Sequence, residues 1–223
     1  MKQNQLPQPS NACAPAYSAT EEFANALTHG LGFIISVIAL NYMITSAPIE
    51  YSVQQRAGIL IYGITLALMF FISTSYHALK QPVIKGILKR FDHASIYLLI
   101  AGTYTPMLTI SIKTAAATSL LTIIWSVAAA GIIFKAFFAG RFQWFSISSY
   151  LAMGWISLFV IDDLFRVLAT PGFTLLILGG VAYSIGVVFY VNKAIAYNHA
   201  IWHCFVLIGA LSHCWLILEY VIK

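Results

Sequence analysis

Apolar residues run along this chain in blocks too long and too uniform for the one-sided stripe of a water-soluble helix. Breaks at Pro, Gly and charged residues divide it into seven blocks: residues 25–46, 56–79, 91–112, 115–137, 143–161, 172–192 and 198–220. Each is close to the ~20 residues that cross a ~30 Å hydrocarbon core as a helix. Inside hydrocarbon, every backbone N–H and C=O must be paired within the segment, which blocks of this length achieve only as helices. The pattern therefore predicts an all-α membrane protein, a seven-transmembrane helix bundle. Pro48, Pro82 and Pro171 fall in connections, while Pro106 lies inside the third block and predicts a kink there. The stretch MKQNQLPQPSNACAPAYSAT is polar and aperiodic, without the basic start and apolar centre of a secretory signal. It reads as a disordered cytoplasmic tail, residues 1–20, ahead of a transmembrane domain over 21–223.

Composition sharpens the class. The 223 residues are 60% hydrophobic and 9% charged, against about 25% charged in soluble domains. The net charge of +5 reports orientation rather than a nucleic-acid partner, for which no motif is present. With the N-terminus placed in the cytoplasm, Lys2, Lys80, Lys85, Lys89, Arg90, Lys135, Arg141 and Lys193 are cytoplasmic, and only Arg56, Lys113, Arg166 and Lys223 are outside. The positive-inside rule thus predicts a cytoplasmic N-terminus and an external C-terminus. The loop 80–90 carries much of that signal. Cys204 and Cys214 are ten residues, or ~15 Å, apart along one helix and cannot pair within it. With Cys13 they imply no disulfide framework.

The polar residues gather at one depth. In this orientation His29 begins block 1, Ser73 and His77 end block 2, Asp92 and His93 begin block 3, and His199 and His203 begin block 7. All lie toward the cytoplasmic leaflet, where an ionisable group inside a span needs a reason. His199 and His203 stand at i and i+4 on one helix face and can reach one metal ion. Ser73 and His77 repeat the spacing, and His77 adds a third nitrogen. Three histidines with one open position form a catalytic rather than a closed structural zinc site. Asp92 would hold or deprotonate a water there, and Ser73 would polarise a carbonyl or orient the aspartate. An HxxxH alone is common by chance, and a single membrane histidine usually bonds a neighbouring helix. The convergence of SxxxH, Asp and HxxxH favours a metal site. His213, ~15 Å beyond His203, is expected to bond between helices. His93, turned ~100° from Asp92, reads as interfacial or supporting. Glu22, Asn25 and His29 share a face and read as a polar helix start with interhelical bonds, ahead of a supporting or gating role. Gly179, Gly180 and Ser184 point to close helix packing, and blocks 4 to 6 to scaffold.

The segments EEFANALTHG, STSYH, KRFDHASIYLLIAGTYTP and HAIWHCFVLIGALSH, in this order and spacing, resemble the hemolysin III proteins of bacteria. These are relatives of the progestin and adipoQ receptors, which include the adiponectin receptors, and the likeness covers the chain from about residue 20 onward. The resemblance implies a seven-helix bundle with N-in, C-out orientation and zinc near the cytoplasmic leaflet. It also implies His77, His199 and His203 as ligands, with Asp92 holding a water and Ser73 alongside. The wider superfamily includes alkaline ceramidases, which hydrolyse lipid amides. The large soluble N-terminal region of the animal receptors is absent here. Three readings remain open: a zinc-dependent hydrolase of lipid amide or ester bonds, a membrane-state sensor with a structural zinc, and a pore-forming cytolysin. Membrane lipids are the expected partners in a bacterial inner membrane. No protein partner is identified, and a homo-oligomer is compatible with the sequence.

Overall fold

The computed structural model describes residues 17–112 and 114–223. The expected N-terminal tail up to residue 16, with Lys2 and Cys13, lies outside the described residues, as does Lys113. Seven helices are long and apolar enough to cross a membrane: α1 Ala19–Ser46, α2 Val53–Ala78, α3 Pro82–Ser111, α4 Ala115–Phe138, α5 Gln143–Val167, α6 Thr170–Val191 and α7 Asn198–Val221. No strand occurs among the described residues.

The helices turn their polar and small residues inward. On α1 the buried positions are Asn25, His29, Gly32, Ser36, Ala39 and Met43. Phe23, Leu27, Leu31, Ile34 and Ile38 are exposed on the opposite side. Both series advance by three or four residues, so each is one helix face. Apolar surface outward and polar surface inward is what a lipid solvent selects. An apolar 18-residue stretch of α3 is 67% buried and that of α2 56%, against 22–28% for α1, α4, α5 and α6. Spans 4 to 6 contribute none of the converging histidines, and α4 buries a lysine, Lys135. α1 packs on both α2 and α7, which brings the two histidine-bearing helices to a common neighbour.

Local chemistry explains the helix ends. Ser18 caps α1 and Ser52 caps α2, each in a reciprocal pair with the side chain three residues on, Glu21 and Gln55. The stretch 80–90 departs from expectation. Only its first residues are connection, and α3 begins at Pro82 rather than residue 91. Pro is well placed at a helix start, Gln81 accepts from the Ile84 amide at 2.6 Å, and lysine and arginine are good helix formers. Charge marks this segment as outside hydrocarbon, and it is nonetheless helical. After Pro106 the backbone of α3 passes into a π-helical turn, Met107–Ser111, so the disturbance expected at this proline takes that form.

α5 is broken. It is α-helical to Gly154, 3₁₀ over Ile156–Val160 and α-helical again over Ile161–Val167, beyond the end expected at residue 161. Tyr104 of α3 bridges the break, donating to the Gly154 carbonyl at 2.6 Å and accepting from the Ser157 amide at 3.2 Å. Tyr104→Phe leaves both groups unpaired in an apolar setting, each costing about 1–3 kcal/mol. The variant is expected to melt several degrees lower in detergent, with its helix content unchanged by circular dichroism. An unchanged melting temperature would show that the break is held by other contacts.

Close approaches set the helix rotations. A Cβ on Gly131 of α4 would collide with the ring of Tyr97 on α3, and one on Gly179 of α6 with the imidazole of His213 on α7. His213 Nε2 lies 3.1 Å from the Leu176 carbonyl, the interhelical bond expected for it. Ser184 accepts from the Trp155 indole at 3.0 Å, which ties α6 to the break in α5.

Candidate metal centre

The site lies at one end of the bundle, where the start of α1, the end of α2 and the start of α7 meet. His77 belongs to the last turn of α2, which ends at Ala78. Ser73 sits one turn earlier on the same face, and both are buried. The connection from α6 to α7 is short. Tyr197 takes a left-handed backbone conformation with φ 56° and its amide faces Glu21 Oε1 at 3.4 Å. Asn198 then donates to the Phe189 carbonyl at 3.0 Å, pairing an otherwise orphaned acceptor at the end of α6. HAIWH therefore occupies the first turns of α7, with its histidine face toward α1 and α2.

The three histidines converge. One nitrogen each from His77, His199 and His203 lies within 4.8 Å of the others. Ring centroids are 5.1 Å apart for His77–His199, 5.0 Å for His77–His203 and 4.5 Å for His199–His203. This set is close enough to bind one metal ion. Buried side-chain atoms without a partner point the same way. Among the described residues these are Asn25 Oδ1, both ring nitrogens of His29, Tyr62 Oη, Ser73 Oγ, His77 Nε2 and His199 Nδ1. All but Tyr62 belong to this region, and buried polar atoms are otherwise almost always paired. Two of the orphans are histidine nitrogens of the converging set, so the donor chemistry fits a borderline divalent metal such as zinc.

α1 closes the site from one side. His203 Nδ1 lies 3.1 Å from the Asn25 carbonyl, and His77 Nδ1 lies 2.6 Å from Glu22 Oε2. The His29 ring stacks on His203 at 3.5 Å between centroids and meets Phe70 edge-on at 5.0 Å. The interhelical bonds expected of this polar face are present, and their partners are the histidines of the cluster. Tyr17, just ahead of α1, stacks over His199 at 5.1 Å. Burial, then the neighbouring tyrosines and glutamates, push its hydroxyl well above the usual phenol range, so it stays neutral. Nothing in sequence spacing pointed to Tyr17, since it lies outside every helical repeat.

Asp92 is not among the three residues whose ligand atoms converge. Three turns of α3 precede it, and the nearest basic group to its carboxylate is His93 Nδ1 at 3.8 Å. Ser73 Oγ has no hydrogen-bond partner, so it forms no bond to Asp92. His93 Nδ1 faces the Lys89 carbonyl at 2.7 Å, one turn back on its own helix. Asp162, Asp163 and Arg166 lie at the far end of α5, away from the site, with Asp162 and Arg166 exposed.

Comparison with known proteins agrees with this architecture. Residues 17–214 match the family described as haemolysin-III related. A hemolysin-3 homolog of Bacillus subtilis (strain 168) is 42% identical over 207 residues, covering 93% of this chain and 97% of that protein. Hemolysin-3 of Bacillus cereus is 41% identical over 202 residues, 91% of this chain and 92% of that one. The human monocyte to macrophage differentiation factor is 28% identical over 211 residues, 91% of this chain and 85% of that one. With seven membrane-length helices and a family match over nearly its whole length, this chain is a multi-pass integral membrane protein that belongs to the haemolysin-III-related family.

Proposed function

We propose that this protein is a zinc-dependent hydrolase of lipid amide or ester bonds that acts in membrane lipid homeostasis. It would sit in a bacterial inner membrane with its N-terminus in the cytoplasm and its C-terminus outside. The observation that carries the reading is an open three-nitrogen set with a partnerless serine on the same helix face, at one end of an otherwise apolar bundle. His77, His199 and His203 would hold a zinc ion, which when bound would supply Lewis-acid polarisation of a carbonyl and acidify a water. Ser73 Oγ donates to the substrate carbonyl, and Asp92 accepts the proton released by the attacking water. Acyl chains lie against the apolar helix faces, so membrane lipids are both solvent and substrate.

One observation favours a second reading. A metal held by His77, His199 and His203 would join α2 to α7. That suits a sensor in which zinc is a staple. The lytic names of the Bacillus relatives belong to those proteins, and a pore is disfavoured here because the unpaired polar atoms cluster at one end. The deciding experiment reconstitutes zinc-loaded protein with ceramide and acyl-ester lipids and follows fatty-acid release by mass spectrometry. Release that stops on chelation and returns with zinc is the expected result. No release from either class would move the protein to the sensor reading.

A further inference from the structure

We propose that Glu22 is a positioning residue for the metal centre, through which α1, a helix that supplies no ligand, sets the affinity of a site built on α2 and α7. This rests on the metal reading above. A neutral imidazole carries one N–H and one lone pair, and which nitrogen holds the proton is decided by what the other atoms around it accept or donate. The His77 side chain is 0% exposed, so water does not decide it. Nδ1 is 2.6 Å from Glu22 Oε2, and the other group near it, the Asn25 side-chain amide, is much farther at 3.4 Å, so the carboxylate dominates. An ionised carboxylate only accepts, so Nδ1 holds the proton and Nε2 keeps the lone pair. Nε2 is the atom left without a partner.

The carboxylate is itself held. Lys85 Nζ donates to its second oxygen at 2.7 Å, and the Ser18–Glu21 cap orders the turn it stands on. The chain Lys85–Glu22–His77 thus spans α3, α1 and α2. The side chains of Glu22 and Lys85 are 19% and 26% exposed, and a pair that open to solvent adds little stability by itself. A carboxylate behind a ligating histidine has a different effect: it orients the ring and raises its basicity. His203 is held the same way by a backbone carbonyl, that of Asn25, which substitution does not remove. The Thr28 hydroxyl also lies 3.3 Å from His203 Nδ1, but Glu22 is the charged support, and a change of its side chain tests it.

The test uses the full-length protein in detergent. Zinc affinity is measured by chelator competition for wild type, Glu22→Gln, Lys85→Met and His77→Ala, and each metal-free form is also melted. Glu22→Gln keeps the size and an acceptor oxygen but loses the charge. It is expected to bind zinc 10- to 100-fold more weakly, with a metal-free melting temperature close to wild type. Lys85→Met is expected to lose less than Glu22→Gln, because the carboxylate remains. Wild-type affinity in Glu22→Gln, whatever its melting temperature, would overturn the proposal and leave Glu22 as a contact between helices. If wild type binds no zinc and His77→Ala changes nothing, the metal reading falls and this proposal falls with it.

Discussion

His203→Ala is expected to abolish stoichiometric zinc binding and to bring the melting temperature of the protein below that of chelated wild type. Wild type should carry about one zinc per chain. His77→Ala and His199→Ala should behave as His203→Ala does, because two remaining nitrogens do not make a zinc site of the kind that four-coordinate geometry favours. The stability effect follows from linkage. A ligand present at 100 to 1,000 times its dissociation constant stabilises the folded state by about 2.7–4.1 kcal/mol. Here it would tie α2 to α7, which share α1 as a packing neighbour. His203 also stacks on His29 and lies close to the Asn25 carbonyl, so its loss carries a packing cost even without metal. Melting each variant with and without chelator separates the two effects. A variant that still holds zinc at wild-type stoichiometry would remove that residue from the ligand set.

Asp92→Asn is expected to keep the zinc and lose the chemistry. If Asp92 is the base, turnover of the lipid substrate should fall by about 10²- to 10⁴-fold. Zinc content should be unchanged, because Asp92 is not one of the converging ligands. The amide is isosteric and holds the same position on α3, so folding is not the variable. The measurement is single-turnover release of fatty acid beside metal analysis of the same preparation. Wild-type turnover in Asp92→Asn would take the base role away from this residue. Lost zinc would show that the carboxylate supports the metal directly.

Much of the site was legible before any fold was known, for a reason specific to lipid. Ionisable side chains are costly in hydrocarbon, so those that persist face the bundle interior. The i,i+4 spacings of Ser73 with His77 and of His199 with His203 then define two faces that the structure does bring together. The polar face of Glu22, Asn25 and His29 was also visible, but not the histidines it bonds. Lys85 counted only as a charge for orientation, yet it ends a chain of contacts that reaches His77. Where the Asp92 carboxylate stands relative to the histidines depends on rotation about the α3 axis, which equal depth does not fix.

What the sequence determined by itself is the number of membrane-crossing helices and the faces that carry the histidines, because each follows from local periodicity and from the demand that backbone be paired in hydrocarbon. What only the tertiary structure decided is how those faces meet. Rotation and offset depend on contacts between distant residues, such as Gly131 against Tyr97 and Gly179 against His213. They also depend on Tyr104, which bridges a break in α5 that no local pattern announced. The direction of a single ring nitrogen, here His77 Nε2, is set by a carboxylate on another helix, and local periodicity does not encode that.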